Sequence, residues 1–304
     1  MIIKNTDLEV LRECKYHRYD IGLVSDRAYL SIVVTNACNK NCFYCINSET
    51  DKSLQLDINK ALENIKRVVQ KYKIKEAVLL GGEPTLHPRL FDFIEGLKDT
   101  GLERFGITTN GKKLLNNEFC ERLACSGVSW INISTMTEPY YIYNHIKEAN
   151  PDVKVRLNIN VYKTHNDTIE SLIKLIGKRQ GDCCDEMRIS NLIFKDGFSV
   201  NSKNNEESAK YILSDKEYED LFDGVLQYYM NEGFSIIENP KALGFVKYYL
   251  IPLKHPVILN CNINSKVSDQ VCENNITTKK IHTFKCLVSG DISLSWNTNN
   301  IIKI

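Results

Sequence analysis

Six short apolar runs alternating with longer amphipathic stretches predict an α/β protein built from parallel strand–helix units. Three observations carry that expectation. The apolar runs are brief and β-branched, the stretches between them repeat apolar residues at helical spacing, and each conspicuous motif falls just after a predicted strand. Such units close, or partly close, into a barrel whose chemistry sits at the C-terminal strand ends.

Strands are expected at Leu30 to Thr35, Glu76 to Leu80, Arg104 to Thr109, Ser129 to Ser134, Lys154 to Val161 and Glu186 to Phe194. Helical spacing marks Ile58 to Tyr72, Arg89 to Lys98, Asn116 to Ser126 and Asp167 to Ile176. After Phe194 the character changes. Asp196 to Lys210 is polar and reads as a loop, and Ser214 to Tyr229 reads as a helix with Ser214 as N-cap and Glu217 at capping-box spacing. From Val257 onward β-branched residues and turn signals dominate. Thr283 to Val288, Ser289-Gly290-Asp291 and Ile292 to Trp296 read as a hairpin, expected with the strands before it to fold over the open end of the barrel. This divides the chain into an N-terminal extension (1–27), the strand–helix repeats (28–195) and a smaller C-terminal α+β cap that covers the substrate (196–304).

A chain of 304 residues with 43% apolar content buries one sizeable core with a smaller appended unit. Its net charge of +1, with both signs scattered, gives no reason to expect a nucleic-acid partner. The N-terminus lacks a basic region followed by an apolar core, and no run approaches the length of a membrane span, so a cytoplasmic protein without a membrane partner is expected. Eleven cysteines, an odd number, point to reduced thiols and metal ligation rather than a disulfide framework.

Cys38, Cys42 and Cys45 form a CxxxCxxC run directly after the first strand. Three thiolates on one short loop hold a cubane iron-sulfur cluster by three of its irons and leave the fourth open to a non-protein ligand. A closed zinc site would ask for four N or S ligands. No fourth Cys follows closely, and the nearest histidines are His17 and His87. With Tyr44 just before the last cysteine, the loop resembles the radical S-adenosylmethionine (SAM) superfamily, over about residues 28–195. The resemblance implies a partial (β/α)6 TIM-type barrel, a [4Fe-4S] cluster, and SAM chelated on the open iron and reductively cleaved to a 5′-deoxyadenosyl radical. The cofactor carries the difficult step and the protein positions it.

Further motifs extend the resemblance. Gly81-Gly82-Glu83-Pro84 follows the second strand; glycines let backbone approach a ligand, and a carboxylate there accepts from an ammonium. The superfamily's GGE-type motif holds the methionine amino group of SAM. Thr108-Thr109-Asn110-Gly111 resembles the family's TNG segment, with Thr109 and Asn110 on the active face or in a plain turn, and Ser134 stands where the family places a polar residue on the ribose. In Arg156-Leu157-Asn158, strand alternation puts Arg156 and Asn158 on one face, and a buried guanidinium there calls for a carboxylate partner. The resemblance suggests that of SAM. Arg188 poses the same question and pairs with substrate or with an internal acid.

Within the superfamily the motif order, with Asn166-Asp167 downstream, is similar to the GTP 3′,8-cyclase branch. That enzyme carries a C-terminal CxxC with a further Cys and ends in Gly-Gly, whereas here Asp269 stands where the CxxC partner of Cys272 is expected and the chain ends Ile301 to Ile304, so GTP is not assigned as substrate. Cys261, Cys272 and Cys286 keep three readings: ligands of a second iron-sulfur cluster, a hydrogen-atom donor to a substrate radical, or buried small hydrophobes. Cys183 and Cys184 read as structural.

The function expected is hydrogen abstraction from a peptide or small-molecule substrate, ending in epimerisation, cyclisation, dehydrogenation or rearrangement, with an electron donor such as flavodoxin or ferredoxin. The alternative is an iron-sulfur binding or redox module without SAM-dependent turnover. Glu83 and Arg156 argue against it, since an electron carrier needs no ammonium and carboxylate site.

Overall fold

The computed structural model describes residues 2–4, 29–45, 50–134, 139–181, 183–192, 210–239, 246–262 and 283–293. Cys272, Asp269, the chain end and the polar stretch 196–209 lie outside the described residues, as does all but residues 2–4 of the N-terminal extension. Contacts gather the chain into two compact units, one of residues 26–155 with 269–304 and one of residues 1–25 with 156–268.

In the first unit, β2 (Tyr29–Thr35), β3 (Glu76–Gly81), β4 (Arg104–Thr109) and β5 (Trp130–Ile133) pair in parallel in that order. Leu30, Ile32, Val34, Ala77, Leu79, Ile107 and Ile131 alternate along them and are buried, as a parallel sheet covered by helices requires. The covering helices are α1 (Ile58–Tyr72), α2 (Leu90–Leu97), α3 (Asn117–Ala124) and α4 (Pro139–Ala149). Three of the four start where the sequence offers a cap or a fixed φ. Asp57 accepts from Lys60 N at the head of α1, Asn116 accepts from Phe119 N at the head of α3, and Pro139 opens α4. α4 was not expected, because Tyr140-Tyr141-Ile142-Tyr143 reads as strand-forming; the i, i+4 pair Ile142 and Ile146, both fully buried, is the helical signal.

The C-terminal hairpin is present, with β11 (Thr283–Cys286) and β12 (Ile292–Ser293) antiparallel, but the expectation that it covers strand ends is corrected. β11 pairs in parallel with the edge of β2 that β3 leaves open, setting Cys286 opposite Ile32. An unpaired edge of β2 would expose its backbone donors and acceptors, and the hairpin removes that exposure. Its turn docks on the start of α1. Val288 O accepts from Asp57 N, Gly290 O accepts from Asn64 Nδ2, and Lys60 pairs with Asp291 at 2.8 Å. Gly290 (φ 78°) sits so close that an added Cβ would lie 3.0 Å from Ala61 N.

The second unit contains β6 (Lys154–Val161, from Arg156 on) and β7 (Glu186–Asn191), parallel neighbours, then β10 (Val257–Asn262) parallel to β7. β9 (Val246–Ile251) runs antiparallel to β10 and to β8 (Ile236–Asn239), and β1 (Ile2–Lys4) completes the edge parallel to β8. Its helices are α5 (Ile169–Lys178), opened by a Thr168–Ser171 capping box, and α6 (Asp215–Asn231), opened by the expected Ser214–Glu217 box. Tyr218 on α6 locks onto the sheet: its hydroxyl donates to Val161 O at 2.8 Å and accepts from Leu192 N. The C-terminal region is thus α+β, and its strands join sheets edge to edge. Among the described residues β1 ends the strand order of the second unit and β12 that of the first, each paired with one neighbour.

Candidate functional site

The cluster loop leaves β2 through a neck clamped on both sides. On one side Gln55 bridges Thr35, and Asn36 N donates to Leu54 O. On the other, Gly82 N donates to Thr35 O at 2.7 Å and Glu83 N to Ala37 O at 2.6 Å. This is the close approach that the two glycines permit. A Cβ on Gly81 (φ 151°) would come within 2.3 Å of Thr35 O, and one on Gly82 within 2.2 Å of Ala37 O. The Gly-Gly pair, read from the sequence as leaving room for a ligand, leaves room for the cluster loop's own backbone.

Beyond the neck, Cys38, Cys42 and Cys45 are half-buried and in no disulfide. Lys40 N donates to Cys38 Sγ at 3.4 Å, and Cys45 N closes a turn onto Cys42 O around Phe43 and Tyr44, whose rings meet edge to face at 5.0 Å. Among the described residues no three His, Cys, Asp or Glu side chains converge on a single-ion site. A cubane needs no such convergence, because each thiolate binds a different iron. The donor set, three cysteines on one loop with an N–H already on the Cys38 sulfur, fits the cluster.

Glu83 is 1% exposed and anchors the site. Its Oε1 accepts from Thr85 N (3.2 Å), Thr85 Oγ1 (2.6 Å) and Thr109 Oγ1 (2.6 Å), and its Oε2 accepts from Asn110 N (2.6 Å). Thr109 and Asn110 therefore serve the glutamate directly. Asn110 also reaches the cluster loop, donating from Nδ2 to Asn39 Oδ1 at 2.8 Å, while Lys112 Nζ donates to Asn39 O at 3.2 Å. Ser134, exposed after β5, donates its N–H to Thr109 O at 2.8 Å.

In the second unit the carboxylate partner expected for Arg156 is found inside the protein. Glu186, on the next strand and in register with Arg156, accepts from Arg156 Nε. Both are buried, at 8% and 2% exposure. Burial pushes the Glu186 carboxyl above its usual range, against the pull of Arg156 and Arg188. Arg188 is level with Asn158, one alternation nearer the C-terminal strand ends. The Asn158 Oδ1 is buried without a hydrogen-bond partner among the described residues. Glu186 was missed as a site residue; the signal was an acid directly opposite an inward arginine, legible only once strand register is known.

The C-terminal cysteines part company. Cys286 is fully buried, donates to Leu287 O at 3.8 Å, and has its thiol pKa pushed up by burial. It shares a face of β11 with Phe284, whose ring lies 4.7 Å from that of Tyr72 on α1. Cys261 lies on β10 opposite Lys247. Cys183 and Cys184 are fully buried.

A family model described as the Radical SAM superfamily matches residues 32–187. A probable GTP 3′,8-cyclase of Saccharolobus solfataricus is 35% identical over 105 residues, which is 34% of this chain and 33% of that protein, so the chain spans about a third of the length of this curated relative. Among solved structures, Streptococcus suis SuiB bound to S-adenosylmethionine superposes with a TM-score of 0.59 at 14% identity, over 95% of this chain and 65% of that one. SuiB bound to its precursor peptide SuiA gives 0.53 at 17%, over 74% and 51%. At these identities the likeness shows the fold, the open barrel of parallel strand–helix units.

Proposed function

The chain belongs to the radical SAM superfamily, and from that premise we propose that it abstracts a hydrogen atom from a peptide or small-molecule substrate, leading to epimerisation, cyclisation, dehydrogenation or rearrangement. It is an enzyme whose cofactors are a [4Fe-4S] cluster and SAM. When bound, these supply a 5′-deoxyadenosyl radical. The observation that carries the proposal is the joining of the three-thiol loop to the Glu83 carboxylate through Gly82, Asn110 and Ala37, which puts a cluster donor set and a cation acceptor on one hydrogen-bonded frame.

Cys38, Cys42 and Cys45 hold the cluster in this reading. Glu83 Oε2, which accepts only from Asn110 N among the described residues, takes the SAM ammonium. Thr109 and Asn110 orient that carboxylate, Ser134 meets the ribose hydroxyls and Tyr44 lines the loop beside Cys45. The methionine carboxylate is assigned to Arg156 and Asn158, with Arg156 held by Glu186 through Nε, and Arg188 serves SAM or substrate. Cys286 is assigned to packing; Cys261 and Cys272 keep the roles of hydrogen donor or second-cluster ligand. Residues 196–304 outside the hairpin cover the substrate.

Two relatives bear on substrate class: SuiB was solved with a precursor peptide, and the curated relative carries the name of a GTP cyclase. No described helix is long and apolar enough to cross a membrane, and a cytoplasmic setting with flavodoxin or ferredoxin as electron donor completes the proposal.

Anaerobic reconstitution followed by dithionite reduction in the presence of SAM tests it. Formation of 5′-deoxyadenosine is expected, with about four irons per chain for one cubane and about eight where a second cluster is bound. Iron without 5′-deoxyadenosine would favour the redox-module alternative. Repeating the assay in deuterated water with peptide, sugar and nucleotide substrates shows which product gains deuterium.

A further inference from the structure

The segment between the first two cluster cysteines is held from outside by contacts that motif reading does not reveal. Asn39 accepts twice, at Oδ1 from Asn110 and at its carbonyl from Lys112 Nζ. Asn110 is itself fixed, its N–H on Glu83 and its Oδ1 accepting from Lys112 N at 3.0 Å. Lys112 opens a 3-10 turn directly after Gly111, which has φ 78°, so the ammonium is delivered from a rigid turn. An exposed lysine in such a place is usually a solvated charge. This one sets its charge on a carbonyl lying between two thiols.

We propose that Lys112 is a positioning residue for the iron-sulfur cluster, acting through Asn39. The proposal rests on the assignment of the cluster to Cys38, Cys42 and Cys45. A free loop would have to be ordered when it takes up a cluster, losing backbone entropy at every residue that is fixed. The Lys112–Asn39–Asn110 latch orders the Cys38 to Cys42 segment beforehand. It also fixes the Lys40 N–H on Cys38 Sγ, since Lys40 follows Asn39 directly. Cluster potentials respond to net charge and to hydrogen bonds on the sulfurs, so an ammonium beside the loop favours the more negative, reduced cluster.

Two measurements on the reconstituted protein without SAM or substrate test this: the rate of iron release to a ferrous chelator, and the cluster's midpoint potential. Lys112→Met is expected to release iron about fivefold faster, the loss of one net hydrogen bond, and to have a lower midpoint potential. Lys112→Arg restores both. Asn39→Ala removes the Asn110 arm of the latch and keeps both the backbone carbonyl and the Lys112 charge on it, so release quickens by a similar factor while the potential moves less. A wild type that binds no four-iron cluster would overturn the cluster assignment and the latch together. A wild type that binds one, with release and potential unchanged in Lys112→Met and Asn39→Ala, would overturn the latch alone.

Discussion

Glu83 in the first unit and Glu186 in the second are the buried carboxylates among the described residues, and their surroundings differ in kind. Glu83 is satisfied by neutral donors, two backbone N–H groups and two threonine hydroxyls, drawn from its own turn and from the end of β4. Glu186 is satisfied by a guanidinium on the neighbouring strand. Neutral donors make a carboxylate tolerable in the interior without cancelling its charge, so Glu83 keeps its attraction for a cation. A fixed guanidinium cancels the charge of Glu186. The first arrangement suits a ligand ammonium, and the second suits holding an arginine in place.

The largest effect is expected where the first region carries its iron. Cys42→Ala should abolish 5′-deoxyadenosine formation and most bound iron, because two thiolates and water hold a cubane poorly. Cys286→Ala, at a buried thiol on the far face of β11, should leave iron per chain unchanged. Equal iron in wild type and Cys42→Ala would remove the cluster from this loop. Equal loss in Cys286→Ala would show that packing is the wrong account of that residue.

Next in size is the second region. Glu186→Ala strands a buried guanidinium and should cost about 3–5 kcal/mol of folding stability. The double variant Glu186→Leu with Arg156→Leu should be more stable than Glu186→Ala, since neither charge is then left alone. Chemical denaturation of the set measures this. A double variant no more stable than the single would mean that Arg156 finds another partner and that the two carboxylates differ less than their geometry implies.

Glu83→Gln tests the other side. Whichever way the new amide turns, its NH2 meets a backbone donor, Asn110 N at the Oε2 position or Thr85 N at the Oε1 position, in a buried site, at about 1–3 kcal/mol. SAM affinity should fall with it while iron content persists, measured by equilibrium binding and by iron assay. Loss of stability with unchanged SAM affinity would make Glu83 a purely internal cap and give the ammonium to another acceptor.

Much of this was legible beforehand, for reasons that also mark the limit. β4, β6 and α1 have the bounds expected of them, because local periodicity and turn residues decide them, and the Ser214–Glu217 box is a four-residue signal. The cysteine spacing of the proposed cluster loop was directly legible, since its thiols are neighbours in the chain. What depends on register was not. The pairing of Arg156 with Glu186 spans 30 residues, the hydrogen bond from Gly82 to Thr35 needs β2 and β3 side by side, and the placement of β11 against β2 joins segments some 250 residues apart in sequence. The missed helix α4 fell to a different cause, an aromatic run whose strand propensity hid two isoleucines at helical spacing.

The comparison has an exposed limit in Asp291, in the hairpin turn, whose side chain is 27% exposed and pairs with Lys60. The hydrogen bond from Lys60 holds the Asp291 carboxyl below its usual range, with Ser289 helping, whereas burial holds Glu186 above it. The signs are therefore opposite. A lowered folded pKa means stability that is present above the unfolded value of about 3.9 and lost as pH falls through the folded value. A raised one means stability that is present below about 4.3 and lost as pH rises. For Asp291 solvent screening limits the contribution to about 0.2–1 kcal/mol. Asp291→Asn should thus be less stable than wild type by that amount at pH 7, and the gap should close at an acid pH well below the unfolded value of about 3.9, once wild-type Asp291 is protonated. Urea unfolding of the two proteins at both pH values reads the difference. A gap that stays constant across the range would trace the effect to the turn's hydrogen bonds with Ser289 and not to the charge pair that fastens the hairpin to α1.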